Sequence, residues 1–257
     1  MRVLFLVLLS LMLASPSMAA LQTRSLEYKQ GDTVLEGYLS YDDRFTGKRP
    51  GILVAHEWMG LNDYAKLRAN MLARLGYVAF AVDIYGKGVR PKTTEEAGAL
   101  ASKYKGDRKL LQARILAALS LLKAEALVDP SRTAAIGYCF GGTAVLELAR
   151  SGAELNGIVS FHGGLSNPSP ENAKNIKTQV LVLHGADDPF VPPAEVASFE
   201  QEMKAAGRDY TLIKYPGAVH AFTNPSNRGE IKGALYNREA DKKSWEEMEA
   251  FLSRVLK

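Results

Sequence analysis

Thr133-Ala134-Ala135-Ile136-Gly137-Tyr138-Cys139-Phe140-Gly141-Gly142 reads as a short apolar strand that runs into a sharp turn and then a helix. A turn of this kind, G-x-C-x-G, holds its central residue in a strained backbone conformation and lifts the side chain above the sheet. Gly137 and Gly141 keep side chains from colliding where the backbone doubles back, and Gly142 lets the helix pack tightly. Cys139 therefore occupies the place of a nucleophile. A lone cysteine is ordinarily a small buried core residue, and only the turn around it favours the reactive reading.

One such turn occurs by chance in many chains, so its weight comes from its partners downstream and their order. His184-Gly185-Ala186-Asp187-Asp188-Pro189 comes after the apolar run Val180–Leu183, which puts Asp188 on a loop at a strand end. Gly217-Ala218-Val219-His220-Ala221-Phe222 comes after the strand-like segment Tyr210–Tyr215 and supplies a histidine. The order nucleophile, acid, histidine is that of α/β-hydrolases and not of the chymotrypsin or subtilisin arrangements. Asp187 competes with Asp188 for the acid role and reads as a loop cap. Asp83 ends an earlier strand and reads as a structural loop residue.

Further outward, the same alternation continues. Ser25–Gln30 and Thr33–Ser40, joined across Gly31-Asp32, predict an N-terminal hairpin. Gly51–His56, Tyr77–Asp83, Thr133–Tyr138, Gly157–His162, Thr178–His184 and Tyr210–Tyr215 predict apolar strands. Helices are expected over Asn62–Leu75, Glu95–Leu122 with a break at Gly106-Asp107, Gly141–Arg150, Ala194–Ala206 and Arg238–Leu256. Thr93-Thr94-Glu95-Glu96 resembles a capping box. In the last helix Trp245, Met248, Leu252 and Val255 recur at helical spacing as its buried face. Near-continuous apolar strands between helices imply an α/β fold with a mostly parallel sheet covered on both faces. Glu57, Cys139, Asp188 and His220 each fall just beyond the C-terminal end of such a strand, where ligands of open α/β sheets gather.

These motifs, with Gly51-Ile52-Leu53-Val54-Ala55-His56-Glu57-Trp58-Met59-Gly60, resemble the dienelactone hydrolase family of α/β-hydrolases. The likeness runs from about Leu26 through the C-terminal helix. It implies a Cys139-Asp188-His220 triad, with Glu57 touching the resting thiol and helping to form the thiolate. Read without the resemblance, Glu57 is equally a strand-end carboxylate paired to a lysine or arginine. Phe140 and Trp58 would supply the two backbone donors of an oxyanion hole. Lys87 stands where the family carries a substrate-binding arginine, and Asn224 replaces a second one. Tyr85, Lys87 and Phe222 are taken as substrate-binding candidates. Of the aromatics Trp58, Phe140, Phe190 and Phe222, half are expected to line an acyl pocket and half to be core. His56, His162 and His184 read as satisfied structural histidines.

A thiolate attacks well but also leaves easily, so activated acyl groups such as enol lactones and enol esters suit it better than amides. The expectation is a hydrolase of lactones or small esters, the rival being a non-catalytic binding protein on the same scaffold. A peptidase or acyl transferase is less favoured, since no lid or propeller domain is evident.

Met1–Ala14 carries one positive charge and then an apolar run too short for a comfortable membrane span. With Ser17-Met18-Ala19 it reads as a signal peptide cut after Ala19, or after Ala20, the rival being an uncleaved anchor. The signal implies a periplasmic or secreted protein with no stable membrane association. The remaining residues, 20–257, suit a single α/β domain. The net charge of +4 falls to +3 without Arg2 and is scattered, which argues against nucleic acid as a partner. One cysteine allows no internal disulfide. No metal is expected, because His56-Glu57 lacks a second histidine at ligand spacing, and no cofactor is implied, since Gly141-Gly142 and Gly163-Gly164 lack the P-loop lysine.

Overall fold

The computed structural model describes residues 21–257, so the expected signal segment lies outside the described residues. The described residues open with an antiparallel hairpin, β1 (Leu21–Gln30) and β2 (Thr33–Asp42), longer at both outer ends than its sequence suggests. There follow β3 (Arg49–Ala55), α1 (Asp63–Arg74), β4 (Val78–Ala81), α2 (Thr94–Gly106), α3 (Arg108–Ala124) and β5 (Val128–Tyr138). The second half comprises α4 (Phe140–Arg150), β6 (Gly157–Phe161), a 3-10 turn (Pro170–Asn175), β7 (Gln179–Gly185), α5 (Pro193–Ala205), β8 (Tyr210–Tyr215) and α6 (Arg238–Val255).

The eight strands among the described residues form one sheet in the order β1-β2-β4-β3-β5-β6-β7-β8, parallel from β4 onward, with β2 antiparallel to β4. Alternate residues of each inner strand serve opposite faces, as a pleat requires. Leu53, Ala135, Ile158 and Val182 pack towards α3, α4 and α5. Ile52, Ile136, Val159 and Leu183 pack towards α1 and α6. Both faces are covered, so the strands read as unbroken apolar runs. Met248 and Leu252 are buried on α6, with Trp245 and Val255 partly buried beside them.

Local signals explain most boundaries. Asn62 caps α1 by accepting from Ala65 N. Thr93 Oγ1 accepts from Glu96 N at 3.2 Å, while the Glu96 carboxylate accepts from Lys92 N, one residue beyond the N-cap N–H of a reciprocal box. The predicted long helix divides at Asp107, which both ends α2 and caps α3 through Leu110 N. β5 starts earlier than expected because Val128 and Asp129 pair with Arg49 and Pro50 before the register shifts at Pro50/Gly51.

Candidate active site

Adjacent parallel strands β3 and β5 deliver Glu57 and Cys139 to the same end of the sheet, and β7 and β8 deliver Asp188 and His220. The chain crosses to β4 on one side of β3 and to β5 on the other, so the crevice lies at a switch of strand order.

At the turn after β5, Cys139 has φ 53 and ψ −116, a conformation that a non-glycine residue pays to adopt. The surrounding glycines make it possible. A Cβ on Gly137 would lie 2.0 Å from Gly141 O, and one on Gly141 would lie 2.2 Å from Ala55 O. One on Gly142 would meet Ser160 Oγ at 2.6 Å and Gly163 Cα at 2.7 Å. The next helix starts at Phe140, so Sγ sits at the positive end of α4.

Cys139 Sγ lies 3.1 Å from His220 Nε2, and His220 Nδ1 lies 2.8 Å from Asp188 Oδ2. Asp188 is buried and its other oxygen accepts from Phe190 N at 2.8 Å. Burial opposes a charge on His220, but the sulfur beside it and the Asp188 carboxylate together raise its pKa to about 10. The imidazole is thereby placed to carry a proton between sulfur and substrate. Asp187 is elsewhere: its Oδ2 accepts from Gly217 N, a loop cap. Asp83 caps the chain after β4 through Glu36, Tyr85 and Gly86 N–H groups.

Glu57 is buried, and burial raises its pKa. Its Oε2 accepts from Asn224 Nδ2 at 2.6 Å, while Sγ turns to His220. The resting contact with the thiol that the resemblance implies is therefore not the hydrogen bond seen, and its partner is an amide rather than a lysine or arginine.

A cavity of about 690 Å³ opens over these groups, walled by Trp58, Phe140, Phe190, Tyr64 and Ile231, with Asn62, Asn227 and Lys105 among its polar groups. Trp58, Phe140 and Phe190 thus line the pocket. Phe222 does not: it is fully buried against Tyr215 and His162. Lys87 is also outside, its ammonium paired with Glu27 and near Glu36, because the antiparallel pairing of β2 with β4 brings the acids of the hairpin beneath that loop. Tyr85 is buried below the cavity and donates to Trp58 O at 2.9 Å, supporting the turn after β3. Tyr64, Asn62 and Ile231 carry no motif that marks them in the sequence, since they reach the pocket from α1 and the loop before α6. His56 Nε2 accepts from Ile84 N, and His162 is bonded on both nitrogens, but buried His184 Nδ1 has no hydrogen-bond partner among the described residues. No cluster of three or more His, Cys, Asp or Glu among the described residues is placed to hold a metal ion.

A nucleophile turn between strand and helix, with an acid and a histidine on later strands of a mostly parallel sheet, defines an α/β-hydrolase. The chain belongs to the dienelactone hydrolase family, whose model matches residues 35–256, and it is a hydrolase. It is similar to the solved structure of m3DLH, 40% identical, TM-score 0.89, covering 93% of this chain and 100% of that one. A dienelactone hydrolase-like promiscuous phosphotriesterase from metagenomic libraries is 38% identical, with TM-score 0.88 and coverage of 93% and 100%. Among curated proteins, a Bradyrhizobium sp relative named "Probable 2-oxo-3-(5-oxofuran-2-ylidene)propanoate lactonase" is 31% identical over 215 residues, 79% of this chain and 86% of its own.

Proposed function

We propose that the protein is an exported hydrolase that opens lactones or small activated esters through a thioester on Cys139. The carrying observation is the unbroken line Asp188–His220–Cys139, with contacts of 2.8 and 3.1 Å. Sγ passes its proton to His220 Nε2 and attacks the acyl carbon, and the oxyanion is met by the N–H groups of Phe140 and Trp58. Collapse breaks the acyl–oxygen bond, and His220 Nε2 gives its proton to the departing oxygen. Water then attacks the thioester, His220 takes the water's proton, and Sγ leaves as the acid is released. Asp188 keeps the ring oriented through both halves. Glu57, held by Asn224, lines the same cavity as the nucleophile.

The acyl group need not carry a carboxylate. Lys87 is engaged by Glu27, Asn224 is neutral and engaged by Glu57, and among the described residues the cavity lining holds no arginine and a single lysine, Lys105. The lactonase name of one relative and the promiscuity in the name of another agree with an accommodating, largely apolar pocket.

The test is hydrolysis of enol lactones and short-chain aryl esters by protein lacking residues 1–19, beside its Cys139→Ala form. Activity that disappears with the thiol upholds the reading, and equal activity in both forms overturns it. Export is tested by fractionating cells that express the full chain. A periplasmic or secreted product beginning at Ala20, or at Leu21 for the alternative cut, supports it; unprocessed cytoplasmic protein refutes it.

A further inference from the structure

Cys139, His162 and Ala221 are the non-glycine residues with left-handed φ among the described residues, at 53, 39 and 56. Ala221 adjoins His220. Cys139 and His162 are strained and bonded to each other, and strain that persists next to a reacting group is a sign of imposed geometry.

Cys139 N–H divides between Phe161 O at 3.0 Å, the ordinary strand contact, and His162 Nδ1 at 3.1 Å. A backbone N–H only donates, so Nδ1 must present its lone pair and the ring proton of neutral His162 must sit on Nε2. There it has an acceptor, Thr223 Oγ1 at 2.7 Å. Thr223 Oγ1 is also 2.7 Å from Tyr64 OH, which accepts from Arg68 Nε at 3.1 Å. Arg68 in turn is held by Thr223 O and Asp241 Oδ1, each at 2.6 Å. His162, Thr223 and Arg68 are all buried. Burial, with the charges of His220 and Arg68, holds the His162 ring well below its ordinary pKa, so it is neutral.

We propose that His162 is a positioning residue for catalysis: its neutral ring, fixed in the Nε2–H form by Thr223, Tyr64 and Arg68, holds the Cys139 backbone in its left-handed turn. That turn aims Sγ at His220 and the adjoining Phe140 N–H at the acyl oxygen. The opposite tautomer, or the imidazolium, would set N–H against N–H at 3.1 Å and push the turn out of place. Because the oxyanion exists only after attack, misplacing the turn acts on kcat rather than on KM. The inference rests on Cys139 being the nucleophile.

The experiment compares aryl acetate hydrolysis and melting temperature for the parent, Cys139→Ala, His162→Phe, His162→Asn, Thr223→Val and Thr223→Ser. His162→Phe removes the acceptor. His162→Asn keeps one near the Nδ1 position, and asparagine tolerates left-handed backbone. Expected is a fall in kcat of about 10–100-fold for His162→Phe and about 10-fold for Thr223→Val, with KM within about twofold. His162→Asn and Thr223→Ser should each recover most of the loss. Thr223→Val and Thr223→Ser decide alone if the phenylalanine variant does not fold. Unchanged kcat in Thr223→Val, or serine and asparagine forms no better than valine and phenylalanine, overturns the inference while a dead Cys139→Ala leaves the thiol mechanism standing. An active Cys139→Ala overturns both.

Discussion

Asp188 and Glu57 are two buried carboxyls within one site, and their surroundings assign them opposite tasks. Asp188 faces His220 and the Phe190 N–H, partners that reward a negative charge. Asp188→Asn keeps the shape but removes the carboxylate that supports the proton on the ring and fixes its orientation, so Nε2 no longer reliably exchanges a proton with the sulfur. The expected loss is about 10²–10⁴-fold in kcat with little change in KM, read by steady-state kinetics on an aryl ester. Glu57 has one amide as its hydrogen-bond partner, and burial lifts its pKa above the ordinary 4.5 against the opposing pull of Asn224, His220 and Arg68. The folded state thus holds this proton more tightly than the unfolded chain does. Stability contributed by the site must fall as pH rises through 4.5 towards the raised value, and the cost is full above it. Glu57→Gln retains an acceptor for Asn224 Nδ2 without the charge. It should raise the denaturation midpoint at pH 8, and the gain should vanish below about pH 4, where both states carry the proton. An equal gain at both pH values would show that charge burial is not its source.

At the scale of elements, the turn between β5 and α4 depends on what is absent from it. A methyl on Gly141 would lie 2.2 Å from Ala55 O and 2.7 Å from His56 O, both backbone atoms that cannot swing aside. Gly141→Ala should therefore cost about 3 kcal/mol or more in urea denaturation. A methyl on Gly106 meets nothing within 4 Å, so Gly106→Ala, near the end of α2, should change stability by less than about 1 kcal/mol. The requirement at Gly137 and Gly141 is legible in the sequence because the turn places small residues at fixed spacing around Cys139. The strand and helix segments, though not the order of strands in the sheet, are legible for a related reason: doubly covered strands have no polar alternation to obscure them. Lys87 misleads because its position along the chain matches a binding residue, whereas its surroundings are set by a hairpin that lies about fifty residues earlier in the chain and pairs with β4. Tyr64 and Arg68 are not legible, because α1 looks like any amphipathic surface helix. That its Arg68 is buried against Tyr64, Tyr138 and Trp245 depends on the packing of α6.

Across the whole molecule, the wall of the cavity opposite α1 is tied to the core by charge. Arg150, at the end of α4, is fully buried and forks onto Glu202 of α5 with Nε–Oε1 and Nη2–Oε2 contacts of 3.0 Å each. Its Nη1 reaches Glu147 Oε1 at 3.0 Å, and Nη2 donates to Leu165 O at 3.0 Å. Gln112 from α3 binds the other oxygen of Glu147, and Asn167 binds Glu202. One guanidinium therefore joins α4, α5 and the loop after β6, with α3 one bond further. That loop carries Gly164, a lining residue, whose carbonyl accepts from Thr143 of α4. Such a network adds little net stability over a well-packed apolar core, yet breaking it leaves buried Glu202 without its cation and Glu147 with only Arg108, 3.6 Å away. Arg150→Ala should cost about 3–5 kcal/mol in urea denaturation. Arg150→Lys keeps the charge but not the fork, so its stability should fall between the two, with the loop at Gly164 loosened. Its KM for an aryl ester should rise a few-fold while kcat holds, since the triad hangs from β5, β7 and β8 rather than from that loop. A lysine form that loses kcat instead would mean that the network reaches the nucleophile turn through α4 itself.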